Sequence, residues 1–181
     1  MRVLVSAATR HGSTAEVAAA IARVLAASGL AVDVAAPDTV ADVTGYDAVV
    51  IGSAVYYGRW LPTALDLIRR SRQALPALPV WLFSVGPIGA RPPASGEIAF
   101  AKELVSRTKA RGHRTFPGRL DRARLGWIER LIMTVMNAPS GDFRDWPAIS
   151  GWAHAIAADL TQTWRHDRGG VAVGSQAPRP S

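Results

Sequence analysis

Apolar residues in the first half of the chain fall into short unbroken runs at positions 2–6, 32–35, 48–51 and 80–85. A strand covered on both faces has no solvent side on which to place polar residues, so runs of this length predict buried strands of a parallel sheet. Between the runs the spacing becomes helical. It predicts helices over 14–28, closed by Gly29, over 61–74, with Pro62 in the first turn, and over 96–110, closed by Gly112. A fifth strand is expected within 114–120 and a last helix over 148–164, started by Asp145 and Pro147. Strands and helices alternating in this way define an α/β class: a doubly wound five-stranded parallel sheet, order 2-1-3-4-5, with helices on both faces. Residues 1–166 form one domain in this reading, with an insertion at about 120–142. The segment 167–181, rich in Gly, Ser and Pro, has the composition of a disordered tail.

Composition narrows the chemistry. With 181 residues, about half of them apolar, the chain can bury one sizeable core and has little length for a second. No run reaches the roughly 18 to 20 apolar residues that span a bilayer, and the first strand begins at once, so a cytoplasmic location is expected. The absence of cysteine excludes disulfides, thiolate metal sites and cysteine catalysis. The four histidines, His11, His113, His154 and His166, are too scattered to suggest a metal site. A net charge of +7 points to an anionic partner. The excess is local: Arg107, Lys109, Arg111, Arg114, Arg119, Arg122, Arg124 and Arg130 face only Asp121 and Glu129 in the same stretch. Such a run is either a partner surface or a solvated helix face; nucleic acid is not the expected partner.

The first strand ends in a small polar loop, Thr9, Arg10, His11, Gly12, Ser13 and Thr14, that opens an alanine-rich helix. Unsatisfied N–H groups at a helix start point at one spot, the helix dipole adds positive potential there, and a glycine permits close approach, which together suit a phosphate. Ser13 and Thr14 add hydroxyl donors. Arg10 and His11 flank the position, Arg10 facing either the phosphate or solvent. Neither the Gly-Lys-Ser/Thr ending of a P-loop nor G-x-G-x-x-G is present.

In a doubly wound sheet, ligands bind beyond the strand C-termini where the winding reverses. That rule gathers the first loop with the segment after the third strand (Gly52, Ser53, Ala54, Val55, Tyr56, Tyr57, Gly58, Arg59, Trp60) and the one after the fourth (Ser84, Val85, Gly86, Pro87, Ile88, Gly89, Ala90, Arg91). Tyr56, Tyr57 and Trp60 offer stacking surface for a flat ring, and Gly58, Gly86 and Gly89 let main chain lie close to it. Tyr57 and Trp60 can equally be core aromatics. No nucleophile–histidine pair or acid/base pair stands out, so a bound cofactor is expected to be the reactive group.

The first loop resembles the flavodoxin motif T-x-T-G-x-T, with Thr9, Gly12 and Thr14 in place and His11 where flavodoxins usually have Thr. Over residues 2–163 the chain looks like the flavodoxin-domain family that includes the bacterial menaquinone-dependent protoporphyrinogen oxidase of heme biosynthesis. The resemblance rests on that loop, Ile51-Gly52 followed by Tyr57-Gly58, Ser84-Val85 with Ala90-Arg91, and Leu131-Ile132-Met133 leading to Gly141-Asp142-Phe143-Arg144 and Trp152. It implies FMN as cofactor, held by Thr9 to Thr14, Ser53 to Gly58 and Val85 to Pro87. It also implies a small-molecule substrate and a membrane quinone as acceptor. Ordinary flavodoxins are acidic, and the basic balance here departs from the electron-carrier pattern.

Within the inserted stretch, Ile128, Leu131, Ile132 and Val135 share one helical face while Arg122, Arg124 and Arg130 lie around the other, with Trp127 at the edge. Such a face lies on an anionic membrane, packs on the domain, or meets a second subunit. Trp60, Arg91, Arg119, Arg122, Arg124 and Trp127 are the candidates for the substrate or membrane side, and Asp142 with Arg144 reads as a structural pair. Two functions follow: an FMN enzyme of the protoporphyrinogen oxidase type, peripheral on the inner face of the membrane, or a flavodoxin-type electron carrier serving a redox partner.

Overall fold

The computed structural model describes residues 1–86, 95–120 and 141–169. Five parallel strands carry the fold: β1 (Arg2–Ala8), β2 (Ala31–Ala35), β3 (Ala48–Tyr56), β5 (Val80–Val85) and β6 (Gly112–Phe116). They lie in the order β2-β1-β3-β5-β6, while a two-residue strand β4 (Arg59–Trp60) folds back antiparallel on β3. Counting the parallel strands alone, this is the expected 2-1-3-4-5 order. The burial pattern explains why these runs are readable. β5 is buried at all six positions and β1 at all but Arg2, because helices cover both faces; the edge strand β2 is only partly buried, and its Val34 is 56% exposed.

Helices α1 (Ser13–Ala27) and α4 (Trp146–Gly169) cover one face, packing Val17, Ile21, Ile149 and Ile156 against Val3, Val5, Val50 and Phe83. On the other face lie α2 (Pro62–Arg70) and α3 (Ser95–Thr108), where Leu67, Ile68 and Leu104 meet Leu4, Val49, Ile51 and Leu82. The period-two alternation of strand side chains sends neighbouring residues of β1 and β3 to opposite cores, so one sheet serves both.

Several boundaries differ from those expected. α2 stops at Arg70; residues 71–74 are turn and lead into a short 3-10 turn at Leu75–Ala77. α4 is longer at both ends. Asp145 caps it as expected, its Oδ1 accepting the Ala148 N–H at 2.9 Å, and the helix continues through Gly169, beyond the start expected for the tail. The fifth strand ends at Phe116. Arg119–Leu120 leaves the main sheet and forms a separate antiparallel ribbon with Gly141–Asp142, here β7 and β8. Residues 87–94, 121–140 and 170–181 lie outside the described residues. They include Pro87, Ile88, Gly89, Ala90 and Arg91, the residues Arg122, Arg124 and Trp127 of the inserted stretch, and nearly all of the tail.

Candidate functional site

At the C-terminal end of β1 the chain turns through Thr9 to Gly12 into α1. Gly12 occupies the N-cap with φ of 88°, a left-handed conformation that costs glycine nothing. The Thr9 hydroxyl oxygen accepts the Gly12 N–H at 2.9 Å, which tightens the turn and leaves the Thr9 proton to donate elsewhere. Ser13 is placed likewise: its Oγ accepts the backbone N–H of Arg119 at 3.2 Å. Thr14, at the second helical position, is only 1% exposed. Three hydroxyl-bearing residues and the first N–H groups of α1 thus lie within one short turn, the chemistry that suits a phosphate monoester.

The second element is a β-hairpin extending the sheet, where the sequence suggests a loop. Its two turn residues, Tyr57 (φ 50°) and Gly58 (φ 75°), both take the positive φ that a type I′ turn demands. The hairpin divides the aromatic candidates. Tyr57 sits at the tip, 91% exposed, free to border a ring. Tyr56 joins the first loop: the Arg10 guanidinium lies 5.6 Å from its ring centroid and the His11 ring 6.4 Å away. Arg10 thus stacks on the neighbouring element instead of pointing simply into solvent.

Trp60 is corrected from the substrate side to the core. Pairing with Val55 turns it inward, where it is 4% exposed and its Nε1–H donates to Ser84 Oγ at 2.8 Å. Ser53 is fully buried too. Its hydroxyl donates to the Ala54 carbonyl at 2.8 Å and accepts the Leu61 N–H at 2.9 Å, so its side chain closes the hairpin onto α2. Ala54 and Val85 pair across β3 and β5 as the floor below the loops. Gly86 has φ of 130° and donates its N–H to the Phe116 carbonyl at 3.0 Å, which holds the start of the third loop to β6. Beside Tyr57 opens a cleft of about 780 Å³, lined by Gly58 and Arg59 of the hairpin, Ile68 of α2, and Phe100 and Arg107 of α3.

Beneath the hairpin runs a buried polar chain. Ser84 Oγ accepts from Trp60 and also lies 2.8 Å from His113 Nε2, a hydrogen bond whose direction follows the imidazole tautomer. Burial lowers the His113 pKa from its usual value near 6.5. The unfolded chain therefore takes up this proton first, and stability should fall as pH drops below about 6.5 until the folded state is protonated as well. Urea melts from pH 8 to 5 should show a smaller acid loss for His113→Gln; an unchanged profile would mean that other groups govern it.

The sequence pairs Arg144 with Asp142, and the structure bears that out while adding a third member. The Arg144 Nε and Nη2 form a fork on Asp142 at 2.7 and 2.5 Å, and its Nη1 lies 2.5 Å from Glu16 in the first turn of α1. These hydrogen bonds hold the Asp142 carboxyl down to about 2. Nothing in the sequence pattern joins Glu16 to Arg144, 128 positions apart. Among the described residues no group of His, Asp and Glu could hold a metal, and no helix is long and apolar enough to cross a membrane.

An open parallel α/β sheet of order 2-1-3-4-5, with a glycine-capped helix after its first strand and an exposed tyrosine after its third, is a flavodoxin-like architecture. The chain belongs to the flavodoxin domain family, whose model matches residues 4–146, and its cofactor is FMN. It is 25% identical over 174 residues to the protoporphyrinogen IX dehydrogenase [quinone] of Escherichia coli K12, an alignment covering 87% of this chain and 95% of that protein. Among solved structures, a cysteine-to-serine mutant of the flavodoxin from Pseudomonas aeruginosa superposes with a TM-score of 0.57 at 18% identity, covering 89% of this chain and 99% of that one. The rubredoxin oxygen:oxidoreductase of Desulfovibrio gigas gives 0.60 at 15% identity, covering 89% of this chain and 36% of that one. These two likenesses concern the fold.

Proposed function

We propose that this chain is an FMN-dependent dehydrogenase that oxidises a carboxylate-bearing tetrapyrrole of the protoporphyrinogen IX type and passes the electrons to a quinone such as menaquinone. The supporting observation is the match along 95% of the Escherichia coli enzyme, which the basic composition of the chain accompanies. Bound FMN supplies hydride and electron transfer, so the protein need only bind, orient and exclude water. Thr9, Ser13, Thr14 and the start of α1 would hold the phosphate. Tyr57, nearly fully exposed at the hairpin tip, would border the ring, and the cleft beside it would admit the substrate. Phe100 and Ile68 in its lining suit a macrocycle and Arg59 suits a carboxylate, while Arg107 in the same lining is paired with Glu103 at 3.3 Å. Arg119 and the inserted residues Arg122, Arg124 and Trp127 would address an anionic membrane on its inner face, where quinone resides, and Arg91 would add to that charge.

The test is anaerobic turnover of protoporphyrinogen with a menaquinone analogue, in detergent and in anionic vesicles. Quinone-dependent oxidation, faster with vesicles at low salt than at high salt, is the expected result. A second reading, an electron carrier, draws on the membership of the chain in the flavodoxin domain family. No turnover, together with fast one-electron exchange with a flavodoxin reductase, would establish that reading instead.

A further inference from the structure

Glu16 places a carboxylate in the first turn of the helix that receives the FMN phosphate, where its own N–H closes the first helical hydrogen bond onto Gly12 at 3.0 Å. By helix geometry the residue stands about 6 Å along the axis from Gly12. A carboxylate at that distance favours the empty helix end but opposes a phosphate dianion arriving there, since the two compete for the same positive potential.

The structure also holds the compensation. The Arg144 side chain is 3% exposed and sits between Glu16 and Asp142, with its Nη1 2.5 Å from Glu16 Oε2 and its Nη2 2.5 Å from Asp142 Oδ2. Arg119 Nη1 lies 3.8 Å from Glu16 Oε1, while the Arg119 backbone N–H holds the Ser13 hydroxyl. Arg119 and Asp142 are themselves paired across the β7–β8 ribbon. Two guanidinium groups thus meet two carboxylates, and the ribbon, with Arg144 just beyond it, is fixed to the first turn of α1.

We propose that Arg144, assisted by Arg119, is a positioning residue for the cofactor phosphate. It draws the Glu16 carboxylate onto the ribbon and neutralises it, so that the helix start keeps its attraction for a dianion. Neither arginine need touch the phosphate. The inference rests on the FMN cofactor and is independent of the substrate.

The test compares FMN with riboflavin, which lacks the phosphate, by quenching of flavin fluorescence on titration of the apoprotein. Arg144→Gln should weaken FMN by about three- to tenfold at low salt, less at high salt, with riboflavin nearly unchanged. Adding Glu16→Gln to that variant should restore most of the FMN affinity. Glu16→Gln alone removes the carboxylate that opposes the dianion and should tighten FMN by a few fold, which keeps the proposal testable if Arg144→Gln does not fold. Equal losses for both flavins, failure of the double variant to recover, or no change of FMN affinity in Glu16→Gln would each overturn it.

Discussion

Thr14→Val should raise the dissociation constant for FMN on the order of 10- to 100-fold and leave riboflavin binding almost unchanged. The exchange keeps the branched shape of a side chain that is 1% exposed and removes only the hydroxyl. A hydrogen bond to a charged acceptor contributes about 1.5 to 3 kcal/mol, and each 1.4 kcal/mol is tenfold in affinity. Thr9 and Ser13 are less selective probes, because each hydroxyl oxygen also accepts a backbone N–H, and truncation there disturbs the loop as well as the phosphate. Fold stability of the apoprotein should be retained in Thr14→Val, since valine is at home at a buried position. A variant that binds FMN as tightly as the parent would place the phosphate away from this helix start.

The sheet can be read from the sequence because two helical layers bury both faces of β1, β3 and β5, and two-sided burial leaves an uninterrupted apolar run. The phosphate loop is legible for a different reason: Gly12, with hydroxyls on both sides of it, is a local signature that does not depend on distant packing. What is not legible is long-range. Val55 and Trp60 look like a loop because a two-residue strand has no periodicity to detect, yet their pairing decides that Trp60 enters the core and Tyr57 the solvent. The ribbon of Arg119–Leu120 with Gly141–Asp142 is equally short, and its partners are separated by 20 intervening residues. Arg144 can be matched with Asp142 two residues away, but not with Glu16, because only the packing of α4 against α1 brings them together.

Gly52→Ala should be among the most damaging single substitutions, lowering stability by about 3 kcal/mol or more. A Cβ built on Gly52 would lie 2.0 Å from Phe83 Cζ and 2.3 Å from Phe83 Cε1, far inside van der Waals contact. The two residues are register partners on β3 and β5, and the phenyl ring lies across the bare glycine. The ring has little room to move away: Phe83 is fully buried, its centroid is 6.4 Å from Phe116 and 6.2 Å from Trp152, and these two contact one another at 5.6 Å. Overpacking of a close-packed core usually costs about 1 to 3 kcal/mol, and a rigid aromatic neighbour puts this site at or above the top of that range. In a domain of this size the melting temperature should fall by roughly 6 to 12 °C. FMN affinity should fall too, because Ser53 and Ala54, which follow directly, close the hairpin and form the floor below the loops. Phe83→Leu shortens the obstructing side chain, so the double variant should be more stable than Gly52→Ala alone. If Gly52→Ala melts within a degree or two of the parent, β3 and β5 can part without cost, and the rigid floor assigned to the flavin site is wrong.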